Sequence, residues 1–206
     1  DTHAKLYLPP VIEKVILPNA QHGKFDWKYT FEKPDGNWIA PDYDDSSWQT
    51  GPGGFGTPTT PNSIVQTVWD TPHIWLRRTF TLDEVPAEAL FLLHHDEDAE
   101  LYLNGIPAAA LTGYSGNYIR APLFSPAQNA LKKGKSCMAI YCRQTTGGQY
   151  IDAGQLRRRP DRARRRGDRG SGARGVQVDP PRVGGPADRH RSRNRRAIVG
   201  RRAGRR

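Results

Sequence analysis

Between Phe25 and Gly154, glycine and proline interrupt the chain too often for a long helix. KPDGNW and GPGGFGTPTTP are dense turn and loop signals. The runs between such signals are short, apolar or alternating, and rich in aromatic and β-branched residues: FDWKYTF, HIWLRRTFTL, ALFLLHH and CMAIYCRQ. Short strands separated by turns, without a long amphipathic helix, are typical of a sandwich or jelly roll. We therefore predict that residues 24–154 form an all-β sandwich.

A β-hairpin is the clearest local element. In AELYL-NG-IPAAAL, the Asn104-Gly105 pair separates two apolar runs. Asn-Gly favours the type I′ turn, in which both central residues have positive φ. Further along, LFSPAQNALKKG predicts one short helical turn before a glycine stop.

The composition changes abruptly near Gly154. Residues 1–154 hold every Trp, Tyr and Phe, with 12 Lys+Arg against 17 Asp+Glu. Residues 155–206 hold 19 Arg, no Lys and 4 Asp+Glu, so the basic charge belongs to this tail alone. Only the first part can bury a sizeable core. Before the sandwich, residues 1–23 are interpreted as a linker or an edge strand, because their prolines argue against a central strand.

The tail has a composition that cannot support a packed domain. Of its 52 residues, 36 are Arg, Gly, Pro or Ala, so burial cannot offset the entropy cost of ordering them. We predict a disordered tail. An out-of-frame reading of a GC-rich gene gives this mixture and is the favoured explanation, ahead of a disordered linker and of an arginine-rich nucleic-acid-binding arm. Nucleic acid is therefore not the expected partner.

Features that would fix the compartment are absent from the sequence. No stretch approaches the roughly 20 apolar residues of a membrane span, so no membrane partner is expected. The chain opens DTHAKLYLPP without Met or a signal peptide, and we expect an internal fragment or mature segment. Cys137 and Cys142 are five residues apart in one strand, so they face opposite sides and are expected to be buried and unbonded.

Several segments together resemble a known family. They are WKYTFEKPDGNW, PDYDDSSWQTGPGGFGTP, TVWDTPHIWLRRTFTL, HHDEDAELYLNGIPAAALTGY and AIYCRQTTGGQYIDAG. In this order they resemble the galactose-binding-like jelly-roll modules attached to bacterial glycoside hydrolases, especially the sugar-binding domain of family-2 enzymes such as β-galactosidase. The resemblance implies a jelly roll, carbohydrate as a partner, an extracellular or periplasmic location, and a catalytic domain elsewhere in the parent protein.

The resemblance ends where the composition changes. In such modules the last strand continues with a glycine and apolar residues, whereas this chain reads AGQLRRRP. The departure supports a frame error near Gly154 and leaves the completeness of the last strand open.

Candidate ligand residues lie in polar loops that also hold an aromatic ring. A ring can stack on the apolar face of a sugar while nearby carboxylates accept bonds from its hydroxyls. Packing, or contact with the missing catalytic domain, is the alternative for the rings. The carboxylates are alternatively calcium ligands or acceptors for local backbone N–H groups. The carbohydrate-binding candidates are Trp69, Tyr114, Tyr118, Tyr150, Asp96 and Asp98.

Other residues are assigned structural roles. An arginine on the core side of a strand must be paired, and Asp70 or one of Asp96–Asp98 is the expected partner of Arg77 and Arg78. No metal site is predicted, because the adjacent His94 and His95 face opposite ways on a strand. No cofactor is expected, with structural calcium left open. The structural candidates are Trp27, Trp48, Trp75, Arg77, Arg78, Asn104 and Gly105.

The functional hypothesis is a non-catalytic ancillary module of a glycoside hydrolase, which binds carbohydrate weakly or positions the catalytic domain. Glycoside hydrolysis needs two carboxyl groups placed across the scissile bond. In family-2 enzymes these lie on a barrel domain, so the resemblance implies no catalysis here. The alternatives are a glycosidase fragment with hydrolase activity and, less favoured, nucleic-acid binding through the tail.

Overall fold

The computed structural model describes residues 13–158, which form two β-sheets with little helix. A 3₁₀ turn spans Ala20–His22, and one short helix, α1, spans Ser125–Asn129, where the sequence predicts a helical turn. The strands are β1 (Glu13–Leu17), β2 (Asp26–Thr30), β3 (Gln49–Pro52), β4 (Phe55–Gly56), β5 (Thr67–Val68), β6 (His73–Leu82), β7 (Glu88–Asp96), β8 (Asp98–Leu103), β9 (Ile106–Leu111), β10 (Ile119–Pro122), β11 (Gly134–Arg143) and β12 (Tyr150–Arg158).

The two sheets confirm the predicted sandwich. Sheet A has the order β10-β7-β12-β4-β5, and β1 also pairs with β12. Sheet B has the order β3-β2-β6-β11-β8-β9. All pairs are antiparallel except β4 with β5. Neighbours in a sheet are often distant in sequence, which is how a jelly roll connects its strands.

Strand alternation places the core between the sheets. On β6 the side chains of Ile74 and Leu76 point inward and are at most 1% exposed. On β7 the inward side chains include Phe91 and Leu93, which are fully buried. Successive side chains on a strand face opposite sides, so the intervening residues of each strand form the outer faces of the sheets.

The Asn104-Gly105 turn confirms the predicted hairpin between β8 and β9. Its φ angles are 51° and 82°, both positive as type I′ requires. The turn also packs onto β11, because the Asn104 side-chain oxygen accepts a 2.9 Å bond from the Cys137 backbone N–H. Cys137 and Cys142 are both buried and unbonded, as expected.

Strand β1 belongs to sheet A, and the segment after it crosses the outer face of that sheet. Residues 13–17 pair with β12, so this part of the predicted linker or edge strand is a strand. The chain then passes close over Gly154, where a Cβ atom would lie 2.5 Å from the Leu17 carbonyl oxygen. Glycine at this position therefore permits the crossing. Residues 1–12 lie outside the described part of the chain.

The last strand runs past Gly154, where the sequence predicts the end of the sandwich. Strand β12 continues to Arg158 and stays paired with β7, so the ladder extends four residues into the predicted tail. Gln155 occupies an inward position with no exposed surface, and its amide atoms have no hydrogen-bond partner within residues 13–158. Backbone pairing thus continues where side-chain chemistry no longer matches the core. The predicted disorder of the remaining tail, residues 159–206, lies outside the described residues.

Arg77 is paired as predicted, but with a different partner. Its Nε donates a 2.8 Å bond to Asp45 in the loop before β3, and not to Asp70 or Asp96–Asp98. Its Nη1 also donates to the carbonyls of Trp38 and Ala40, the latter at 3.0 Å. A side chain that is 1% exposed thereby fixes the loop between β2 and β3 on the outer face of sheet B.

Arg78 and the structural tryptophans also have packing roles. Arg78 donates a 2.6 Å bond to the Pro18 carbonyl, and its guanidinium lies over the rings of Phe25 and Trp27. The predicted partner of Arg78, Asp70 or one of Asp96–Asp98, is therefore also wrong, because its direct contacts are a carbonyl and two rings. The exposed fractions of the three tryptophans assigned to packing are low: Trp27 2%, Trp48 9% and Trp75 8%.

Candidate functional site

All four sequence segments with candidate ligand residues lie at one end of the sandwich. Strands β6 and β8 begin there and β11 ends there, since Arg143 at the end of β11 lies opposite His73 at the start of β6 and Asp98 at the start of β8. Strand β12 also begins there, and β7 ends there. We call this end the loop end. It comprises residues 57–66, 69–72, 96–98, 112–118 and 144–149.

Hydrogen bonds join these loops into one surface. Gln149 Nε2 donates a 2.7 Å bond to the Thr71 carbonyl. Thr60 Oγ1 donates to the Gln149 carbonyl at 3.0 Å and accepts from the Gln149 N–H at 2.7 Å. The Asn62 side chain donates a 3.0 Å bond to the Gly116 carbonyl. Loops held in this way present their side chains on a rigid scaffold.

The two candidate carboxylates lie in different environments. Asp98 is ion-paired, since one oxygen accepts from the Gly113 N–H at 2.9 Å and the other from Arg143 at 2.6 Å. These bonds, that from Gly113 foremost, lower the pKa of Asp98. Asp96 is 8% exposed, and burial, together with the neighbouring Glu97 carboxylate, raises the pKa of Asp96. The pKa values of the two carboxylates are thus shifted in opposite directions.

Tyr114 is the exposed ring of the site. Its side chain is 73% exposed, and its backbone forms an antiparallel bridge with Asp96. The next residue, Ser115, donates its backbone N–H to the His95 carbonyl at 2.9 Å. The fold therefore brings the backbone of Tyr114 next to Asp96, and its neighbour Gly113 next to Asp98.

Burial corrects the interpretation of two other rings. Trp69 and Tyr150 have no exposed surface, so neither offers a face to a sugar. Trp69 belongs to the core between the sheets. The Tyr150 hydroxyl exchanges 3.2 Å bonds with the backbone of Ile64 and thereby holds the loop above it. Their polar, glycine-rich neighbours resemble an exposed loop in sequence, although the segments fold inward.

Tyr118 belongs to a buried polar cluster that the sequence analysis did not identify. Its hydroxyl lies 2.6 Å from Asp152 Oδ2 and 2.9 Å from the Tyr150 hydroxyl. Asp152 Oδ2 also accepts a 2.9 Å bond from the Ala20 N–H, which anchors the segment that covers sheet A. Burial raises the pKa of Asp152 and of both tyrosines. The signal in the sequence is the spacing of Tyr150 and Asp152, which places them on one face of a strand.

His94 completes this cluster from the neighbouring strand. It lies opposite Asp152 in the β7–β12 pair, and its ring centroid is 4.8 Å from that of Tyr150. Burial, and secondarily the proximity of His95, lowers the pKa of His94 to about 4. The ring nitrogens of His94 have no hydrogen-bond partner within residues 13–158. The cluster has a structural role, since it lies beneath the covering segment.

Within residues 13–158, no three His, Cys, Asp or Glu side chains group as ligands for a metal ion. In the same range, no helix has the length and apolar character of a membrane span.

Comparisons with known proteins give structural similarity only. No family model matches the chain, and no curated protein matches it. A glycosyl hydrolase family 2 member from Bacteroides cellulosilyticus is similar with 14% identity and a TM-score of 0.48, over 69% of this chain and 20% of that one. Bacteroides uniformis β-glucuronidase is similar with 16% identity and a TM-score of 0.49, over 72% of this chain and 18% of that one. Lactobacillus rhamnosus β-glucuronidase is similar with 13% identity and a TM-score of 0.49, over 75% of this chain and 30% of that one.

This chain therefore spans less than a third of the length of each of these three proteins. All three are glycosidases by name, and one is named as a member of family 2.

Proposed function

We propose that this chain is a non-catalytic, ancillary part of a glycoside hydrolase and binds carbohydrate weakly at its loop end. The observation that supports the proposal is the position of Tyr114, an exposed ring whose backbone bridges Asp96 and whose preceding residue, Gly113, donates its N–H to the Asp98 carboxylate. The family resemblance of the sequence supports the ligand class. A sugar site combines an apolar surface with a few directional polar groups.

The expected affinity is low, because the surface is open. Covering one ring contributes about 1.5–3 kcal/mol at most. Each neutral hydrogen bond adds about 0.5–1.5 kcal/mol net. After the cost of association, a dissociation constant in the roughly millimolar to high micromolar range is expected.

A single ring substitution tests this site. Titration of the full chain with saccharides should give weaker binding for Tyr114→Ala, by about tenfold, and near wild-type binding for Tyr114→Phe. The matched control is Phe124→Ala, because Phe124 is an exposed ring, 46% accessible, at the opposite end of the sandwich. If Tyr114→Ala binds as tightly as the wild type while its melting curve is unchanged, the site is elsewhere.

The second candidate function is positioning the catalytic domain of the same parent protein. Exposed apolar side chains beside the loop end favour it, since Val68 is 61% and Ile64 38% exposed. Val68 lines a shallow depression together with Pro58 and Val65. Apolar surface of this kind marks contact sites when it is contiguous. Val68→Asp in the parent protein should then loosen the domain contact, which limited proteolysis would detect, without changing saccharide binding by the isolated chain.

A further inference from the structure

Three aromatic side chains lie together on the outer face of sheet B, away from the core. Trp75 and Tyr141 are direct neighbours on β6 and β11, with ring centroids 5.1 Å apart and an interplanar angle of 25°. His73 lies 5.9 Å from Tyr141 by centroids, and the Tyr141 hydroxyl is 3.0 Å from His73 Nδ1. We call these three residues the aromatic face.

Polar side chains continue the aromatic face across the sheet. Thr30 lies opposite Trp75 on one side, and Glu100 lies opposite Tyr141 on the other. Because adjacent strands are about 4.8 Å apart, this row across four strands extends about 14 Å. The Glu100 carboxylate is exposed and accepts a 2.5 Å bond from the Tyr102 hydroxyl. The row is therefore an open track and not a closed pocket.

The loop between β2 and β3 covers the next row of the sheet. The covered row contains Arg77, which is 1% exposed, and Tyr102. The loop residue Trp38 packs edge-on against Tyr102, with ring centroids 5.7 Å apart. In the aromatic face, Trp75 is 8% exposed and packs under Tyr141, so the more accessible rings are those of Tyr141 and His73. Tyr141 and His73 are only partly buried. The loop thus forms a wall along one side of the aromatic face.

The chemistry of this track fits a neutral saccharide chain. Flat rings lie beside a carboxylate and a hydroxyl, which suits a ligand with apolar faces and many hydroxyl groups. Arg143 at the edge is neutralised by its ion pair with Asp98. The free charge of the row is that of Glu100, so a polyanion such as nucleic acid would be repelled.

We propose that the aromatic face, together with Glu100 and Thr30, binds a neutral oligosaccharide or polysaccharide chain. The ligand class rests on the proposed function, whereas the surface is separate from Tyr114. The Asp98–Arg143 pair lies between the two surfaces, since Asp98 contacts Gly113 on the loop end and Arg143 beside His73. A chain bound on the sheet can therefore continue toward the loop end.

The test compares the two surfaces in the full chain. Affinity electrophoresis in gels containing soluble galactan, xylan, mannan or mixed-linkage β-glucan gives the dissociation constant for each polymer. Tyr141→Ala should weaken binding to at least one polymer by about tenfold. Glu100→Gln, which changes an exposed side chain and leaves the rings intact, should also weaken it. Thr79→Ala is the matched control, an exposed residue further along the same face of β6.

The outcomes separate this proposal from the loop-end site. Loss of binding in Tyr141→Ala and Glu100→Gln, with Tyr114→Ala unchanged, supports the aromatic face and contradicts the loop-end site. Loss in Tyr114→Ala alone overturns the aromatic face and leaves the loop-end site standing. If the wild type binds none of the polymers, the aromatic face is overturned, whatever monosaccharides bind at the loop end. If Tyr141→Ala melts well below the wild type, its binding result is set aside. Binding by Glu100→Gln then decides between the two surfaces.

Discussion

At the scale of single residues, two buried ionisable groups dominate this fold and neither contacts the candidate sites. Arg77 is a buried cation whose donors all point into one loop. His94 is a buried base without hydrogen-bond partners in residues 13–158. Removing the partner of a buried charge is costly, because the remaining charge is left in a medium of low polarity. The two groups therefore give separate, measurable effects on stability.

Asp45→Asn should destabilise the protein by about 1–3 kcal/mol, because it removes the negative charge that Arg77 contacts at 2.8 Å. Chemical denaturation gives the free energy of unfolding. Asp44→Asn is the matched control, since Asp44 is the adjacent aspartate and only caps the Ser46 N–H. The control should stay within about 0.5 kcal/mol of the wild type. Equal effects of the two substitutions would show that the ion pair contributes no stability.

His94 should make stability depend on pH between about 6.5 and 4. In the unfolded chain, histidine takes up a proton near pH 6.5, whereas in the folded protein the pKa of His94 is about 4. The unfolded state therefore binds more protons in this window, and stability falls as the pH falls, by up to about 1.4 kcal/mol per pH unit. The raised pKa of Asp152 acts oppositely, lowering stability as the pH rises above about 4.

His94→Phe isolates the histidine contribution. It keeps a ring beside Tyr150 and removes the proton, so the loss of stability from pH 6.5 to 4 should become shallower. Melting curves across this range measure the slope. His22→Gln, at an exposed position, is the control and should leave the slope unchanged. A wild-type slope in His94→Phe would mean that His94 titrates equally in the folded and unfolded states.

At the scale of elements, β12 shows where backbone and side chain disagree. Its inward positions pass from Ile151 and Ala153, both fully buried, to Gln155, which is equally buried but polar. An amide buried without partners costs roughly 1–3 kcal/mol by comparison with an apolar side chain of similar size. This is the position at which the family resemblance leads one to expect an apolar residue. The backbone of β12 thus pairs along its whole described length, whereas the side chain of Gln155 packs unfavourably in the core.

Gln155→Leu should raise the free energy of unfolding by about 1–3 kcal/mol, because it replaces an unsatisfied amide with an apolar side chain. Gln149→Leu is the matched control, since Gln149 is also buried but donates a 2.7 Å bond to the Thr71 carbonyl. The control should lower stability. If both substitutions destabilise alike, Gln155 has polar contacts beyond residues 13–158.

The elements were predictable from local pattern, and the contacts between them were not. Alternation and the Asn104-Gly105 turn predict strands and hairpin, because these depend on neighbours in sequence. The partner of Arg77 is Asp45, which is 32 residues away in sequence, so no local pattern identifies it. Trp69 and Tyr150 were assigned to an exposed surface from their polar neighbours, although burial depends on which loop lies above them. Of the candidate site, Tyr114, Asp96 and Asp98 lie on neighbouring loops, and their role in binding stays a prediction.

At the scale of the whole molecule, the acidic cluster at the loop end resembles a catalytic pair in one respect. Asp96 has a raised pKa and Asp98 a lowered one, and two carboxyl groups with pKa values shifted apart are the usual arrangement for acid and base roles. The contacts argue against catalysis, however. Both Asp98 oxygens are occupied, by the Gly113 N–H and by Arg143, and Asp96 is 8% exposed. These contacts hold both carboxyl groups within the loop-end network.

We therefore expect no glycosidase turnover from this chain alone. The purified chain, incubated with nitrophenyl galactoside and other aryl glycosides, should release nitrophenol no faster than a buffer blank. Asp96→Asn and Asp98→Asn should leave that background unchanged. Turnover that one of these substitutions abolishes would contradict the expectation, and would place an acid or a nucleophile at the loop end. Because Asp98→Asn also weakens the pair with Arg143, the decisive variant is Asp96→Asn, whose side chain keeps its size and loses only its ability to transfer a proton.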